Sequence, residues 1–140
     1  MKHYDMNVSK LIVIRSPLIK YADLGYIRGH GSSLRIELYE MGNVVKSIDI
    51  DNFICVDDGC MLKSVFNSKY LNSHYPADTL ENVITGHAIY DGKNLRKLYD
   101  GYVQEIKDEN VDIEYEVTSK SIRFKDRKNA ILLKIASPSR

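Results

Sequence analysis

From residue 34 to residue 50 the chain reads LRIELYEMGNVVKSIDI, and its apolar and polar positions alternate. Leu34, Ile36 and Leu38 share one face; Arg35, Glu37 and Tyr39 share the other, the period of two that marks a half-buried strand. Past Gly42-Asn43, the residues Val44, Ile48 and Ile50 fall on one face, with Lys46 as the exception. The stretch predicts a hairpin whose turn is entered by Met41, where a polar residue is the usual choice.

The same reading predicts strands over 11–15 and 22–29, interrupted by Ser16-Pro17 as an edge or turn proline would do. HGSS (residues 30–33) is a turn, and 52–56 continues the meander after a bulge or turn at Asp51-Asn52. The period then changes. Met61, Leu62, Val65, Phe66 and Tyr70 follow helical spacing and predict a helix over 60–71. A second helix is expected over 78–85, with Leu80, Val83 and Ile84 on one face. Asp78 and Glu81 have the spacing of a capping box, and Gly86 stands where a helix ends.

Strands return at 101–106, 111–117, 121–126 and 130–135. In the second of these Val111, Ile113, Tyr115 and Val117 face one way, while Asp112, Glu114 and Glu116 face the other. Connections of hairpin length make the sheet antiparallel. The expected class is α+β, one layer of helices against one curved sheet. A length of 140 residues fits one domain over 1–140, with residues 1–10 expected as a flexible start.

Composition narrows the function classes. The chain is 44% hydrophobic and 28% charged with a net charge of +1, so its overall charge advertises neither nucleic acid nor an anionic surface. Ten tyrosines beside three phenylalanines and no tryptophan suit half-buried strands and wet cavity walls. No apolar run approaches the ~18 residues of a membrane-spanning helix. MKHYDMNVSK has no apolar signal core; read literally the chain is cytosolic, unless a leader has been removed.

Cys55 and Cys60 flank Val-Asp-Asp-Gly and are placed to face each other across a hairpin. They are read either as a disulfide, which favours an oxidising compartment, or as two reduced thiols. No histidine or second cysteine pair lies at metal-ligand spacing, and neither a metal nor a cofactor is expected. His3, His30, His74 and His87 fall in loops or at element ends. Asp57-Asp58 and Asp49-Asp51 are turn formers or solvated charges rather than a catalytic carboxylate pair. GHGSS lacks the lysine and following helix of a phosphate loop, and Arg127-Lys128 is a turn pair. No nucleophile, base and orienting group assemble, so no enzyme is expected and a small hydrolase is disfavoured.

The order of segments carries a resemblance. SLRIELYEMGNVVKSIDIDNFICV, a helix, YPADTLENVITGH, DGYVQEI, DIEYEV and KSIRFKDRKNAILLKI together resemble the outer-membrane lipoprotein receptors of the LolB family, related in fold to the periplasmic LolA carriers. The resemblance spans residues 11–135. It implies an unclosed β-barrel capped by helices, an apolar cavity for acyl chains, and a lipid-anchored protein of the periplasm or outer membrane. Met41 and Gly42 fall where that family carries an exposed apolar residue before glycine, implicated in passing cargo to the membrane. The chain departs from the family in its short start before Leu11, in ASPSR where a closing tryptophan is expected, in Thr85-Gly86 for Leu-Gly, and in having no lipid-bearing cysteine at its start.

Two expectations follow. The apolar face formed by Leu34, Ile36, Leu38, Ile48, Ile50, Ile113, Tyr115, Val117 and Phe124, with Val83 from the second helix, lines a lipid-binding cavity. Its partners are then lipid or lipoprotein acyl chains, with transient outer-membrane contact and a periplasmic carrier as further partners, and no nucleic acid. Alternatively the two helices fill the space, giving a structural or adhesive surface lipoprotein with a plain core and protein partners. A continuous cavity under the helices separates the two.

Overall fold

The computed structural model describes residues 6–57 and 59–138. Six strands come first: β1 (Met6–Arg15), β2 (Lys20–His30), β3 (Ser33–Glu40), β4 (Asn43–Ile50), β5 (Ile54–Val56) and β6 (Gly59–Met61). Two helices follow, α1 (Lys63–Tyr70) and α2 (Thr79–Thr85). Five strands complete the chain: β7 (Leu95–Lys97), β8 (Tyr102–Lys107), β9 (Asp112–Val117), β10 (Ser121–Asp126) and β11 (Ile131–Ala136). All pairings are antiparallel, in one sheet ordered β6-β5-β4-β3-β2-β1-β11-β10-β9-β8-β7. The two meanders meet where β1 pairs with β11, from Leu11 opposite Ala136 to Arg15 opposite Leu132. β6 and β7 are left as the two edges, so the sheet is unclosed. Sheet dominates the architecture, and the helices are short.

The strand at the start of the chain corrects the sequence reading. Residues 6–10 are not a loose start: they pair with residues 25–29 of β2. Met6, Val8 and Lys10 continue the inward row of Ile12 and Ile14, a period-two pattern with polar Asn7 and Ser9 between. Two further corrections concern ends. Cys60 and Met61 belong to β6 rather than to a helix, because the disulfide partner and Ile54 hold them in a ladder. Asp78 makes no side-chain cap to α2; Glu81 instead meets Lys63 of α1 at 2.6 Å, tying the helices together. Gly86 does end α2 in the left-handed conformation, at φ 72°. β7 escaped the sequence reading because all three of its residues are exposed and carry no alternation.

Val44 does not join the inner face with Ile48 and Ile50. The register between β3 and β4 shifts at Leu38/Tyr39, a bulge that turns Val44 and Val45 outward, where both are about half exposed. Lys46 stands opposite Leu38 and reaches Asp57 at 3.6 Å. On the outer face Arg35 bridges Glu37 and Asp49, and Arg28 meets Glu37 from the next strand.

One core lies between the inner face of the sheet and the helices. Phe66, Leu71, Leu80, Val83 and Ile84 pack against Ile12, Ile36, Ile48, Tyr115 and Phe124. Buried polar groups pin the helical layer to the sheet. Tyr75 donates from its hydroxyl to Asp126 at 2.6 Å, and Tyr115 donates to the His87 carbonyl at 2.8 Å. Gln104, fully buried, accepts from the Ile89 N–H and donates to the carbonyls of Ile89 and Lys93. Tyr115 and Gln104 satisfy backbone that has left regular structure, and Tyr75 is paired with a carboxylate, as buried polar groups must be. Together they fix where α2 ends over the sheet.

Candidate ligand-binding cleft

The residues expected to line a lipid cavity do share the inner face. Ile36, Leu38, Ile48, Ile50, Val83, Ile113, Tyr115 and Phe124 are buried, and Leu34 and Val117 are partly buried against them. They do not enclose an acyl-sized space. The void among them, lined in part by Ile36, Ile48 and Val83, has a volume of about 30 Å³. That is on the order of one water molecule's share of the liquid, against roughly 300 Å³ at the small end of ligand sites. Phe66, Leu71 and Leu80 from the helical layer occupy the rest. At Ile113 and Phe124 the packing is a plain core.

A larger space opens at the mouth of the sheet, and none of the residues expected from sequence lines it. Its volume is about 250 Å³. Met6, Val8 and Lys10 of β1 form one wall. Ile84 and Thr85, the last turn of α2, form the roof. The β9–β10 turn, from Thr118 to Ser121, and Ile122 close the far side, with Ile27 and Ile135 as the floor. Three of these side chains, Ile27, Ile84 and Ile135, also line the core void. The cleft and the void are therefore neighbours that share these three isoleucines.

Local sequence builds this mouth. The Thr118 hydroxyl accepts from the N–H groups of Lys120 and Ser121 at 3.2 Å each, a side-chain turn of the kind threonine favours. Asp100 accepts from the Ser119 hydroxyl at 2.8 Å and so fixes the tip of that turn. On the roof, Thr85 donates back to the Glu81 carbonyl at 2.7 Å. Among the described residues the lining holds six apolar residues, four hydroxyl residues and two lysines, and no carboxylate. Sequence reasoning missed it because residues 1–10 were set aside; the alternation of Met6, Val8 and Lys10 with Asn7 and Ser9 was the available signal.

The β3–β4 tip is where the sequence placed it. Met41 is 96% exposed, so it does not fold back onto the sheet edge. Met41 and Gly42 have φ of 50° and 84°. Two successive positive values suit a type I′ turn, in which Asn-Gly is the favoured pair. Methionine gains nothing from the backbone conformation it is held in here. Cys55 and Cys60 are direct cross-strand neighbours on β5 and β6, with their sulfurs 2.08 Å apart. Asp58, between them in sequence, lies outside the described residues, as does His3. Asp57 acts as a turn former, its carboxylate accepting from the Ser47 N–H at 3.0 Å.

Titration marks structure rather than chemistry. Burial pushes the Asp126 carboxyl up, but hydrogen bonds from Asn129, from Tyr75 and from the Asp112 and Asn129 N–H groups outweigh it and hold it below the usual range. Burial and then Asp126 push the Tyr75 phenol well up. Burial likewise pushes Glu37 up, and its bonds from Arg35, Arg28 and Tyr39 reverse the shift. Each group is spent on its neighbours. Among the described residues no three His, Cys, Asp or Glu side chains converge as a metal site. No helix of the described residues is long and apolar enough to cross a membrane. Comparison of the chain with protein-family models, curated proteins and solved structures returned no match.

Proposed function

We propose that the protein is a non-enzymatic lipid- or lipoprotein-binding module of the bacterial envelope, which takes acyl chains at the mouth of its unclosed sheet and passes them to the outer membrane. The observation that carries this reading is the amphipathic cleft of about 250 Å³, which shares three isoleucines with the core void. Ligand sites are concave and mostly apolar with a few polar groups, and this cleft has that make-up. Each methylene it takes from water contributes about 0.8 kcal/mol, so a short run of chain suffices for reversible holding. Displacement of Ile84 would join cleft and void and deepen the site toward Ile36 and Ile48.

The resemblance to the LolB family supports the same reading and supplies its setting: the periplasm or outer membrane, lipid anchoring, a periplasmic carrier as partner, and Met41 as the point of membrane contact. The filled core favours a second reading, a structural or adhesive module with protein partners. An environment-sensitive lipid probe separates the two. It should bind the folded protein and be displaced by fatty acids or lipopeptides. Ile122→Trp, which fills the far side of the cleft, should abolish binding while the thermal melt stays cooperative. A folded wild-type protein that binds no probe would leave the structural reading in its place.

A further inference from the structure

Lys10 is out of keeping with its row. The inward positions of β1 are Met6, Val8, Lys10, Ile12 and Ile14, and a cation in an apolar row loses hydration unless something answers its charge. Lys10 is half-buried and stands opposite Gly25 on β2. Lys120 stands on the facing rim, in the β9–β10 turn. Neither lysine is ion-paired with a carboxylate among the described residues. Asp100, bonded to the β9–β10 turn, is engaged by the N–H and hydroxyl of Ser119. Among the described residues the cleft thus carries two cations over an apolar floor and no acid in its lining.

We propose that this cleft selects single-chain anionic amphiphiles: Lys10 and Lys120 hold a carboxylate or phosphate head, and Met6, Val8, Ile84 and Ile122 take the first methylenes behind it. The assignment rests on the acyl-binding reading and adds the chemistry of the head. The ammonium group of lysine is a compact point charge that suits either oxyanion. Its long stem lets the charge reach the rim while its methylenes stay on the apolar wall. A volume of about 250 Å³ admits one short tail.

Calorimetry with three ligands of equal tail tests it, each below its micelle concentration: decanoate, decyl phosphate and decyl glucoside. Both anionic ligands should bind about tenfold or more tightly than the glucoside at low salt, the advantage expected of charged hydrogen bonds, and added salt should shrink that advantage. Lys10→Met and Lys120→Gln should each remove most of it and leave glucoside binding unchanged. Lys120 is exposed, so its variant carries the test even if Lys10→Met fails to fold. Tighter binding of decanoate or of decyl phosphate tells a free fatty acid from a phosphate head. Equal binding of all three ligands, or an anionic preference that survives both substitutions, would overturn the head-group assignment and leave the acyl-binding reading standing. Binding of none would overturn both.

Discussion

At the scale of single residues, Asp126 is the most heavily committed side chain in the molecule. Fully buried, it accepts from the Tyr75 hydroxyl, the Asn129 amide and the N–H groups of Asp112, Lys128 and Asn129. Its folded pKa lies below the ordinary value. The stability it contributes is therefore fully present above the unfolded value of roughly 3.9 and is lost as pH falls through the lower folded one. Tyr75 works in the opposite sense: its raised pKa keeps its contribution intact below roughly pH 10, to be lost above it. Asp126→Asn should cost about 1.5–3 kcal/mol at neutral pH and flatten the acid limb of a plot of melting temperature against pH; an acid limb of unchanged slope would show that other carboxylates set it. Sequence alone exposed neither role. Asp126 reads as the last residue of a strand, and its partner Tyr75 lies 51 residues away in the chain, between the two helices. Lys10 was hidden for another reason: a lone cation is legible as inward only after the residues before it are recognised as strand.

Elements were legible where periodicity was long and illegible where it was short. β3 and β9 follow their alternation, β4 departs from it at Val44, and α2 ends at Gly86 as its signature requires. α1 starts later than its apolar spacing suggested, because Cys60 and Met61 answer to a cross-strand ladder rather than to helical spacing. That ladder makes a disulfide across β5 and β6 the expected state of the oxidised protein. Closing so short a loop should contribute about 2 kcal/mol. Alkylation of the native protein without reductant should label neither cysteine; labelling of both would contradict the bond and weaken the envelope assignment. The β3–β4 hairpin carries a separable effect. Met41→Asn should relieve the left-handed backbone and stabilise by roughly 1 kcal/mol. If Met41 is the membrane contact, the same change should slow transfer of bound lipid to liposomes while probe affinity holds, as should Met41→Glu. A wild-type transfer rate in both variants would reduce Met41 to a turn residue.

For the molecule as a whole, the order of strands was legible and the closure between them was not. Hairpin-length connections dictate two meanders. Nothing local says that β1 and β11, from opposite ends of the chain, lie side by side. Nor does local sequence say whether two helices fill or roof the space they cover; that depends on where Phe66, Leu71 and Leu80 reach, which is a matter of volume rather than pattern. The β1–β11 seam has a mechanical consequence. The first residues of β1 and the last of β11 leave the sheet at the same end, and hydrogen bonds between antiparallel strands run across the strands. Tension applied between the two chain ends therefore loads the ladder one rung at a time, as a zipper, instead of shearing all rungs at once. Pulled by its ends in an optical trap, the protein should open at markedly lower force than when it is held at Leu11 and Leu132, where the ladder is loaded along its length. A tether at the first strand would then couple a pull on that strand directly to the mouth of the sheet, since Met6, Val8 and Lys10, which pair with β2 just ahead of the β1–β11 ladder, form one wall of the cleft.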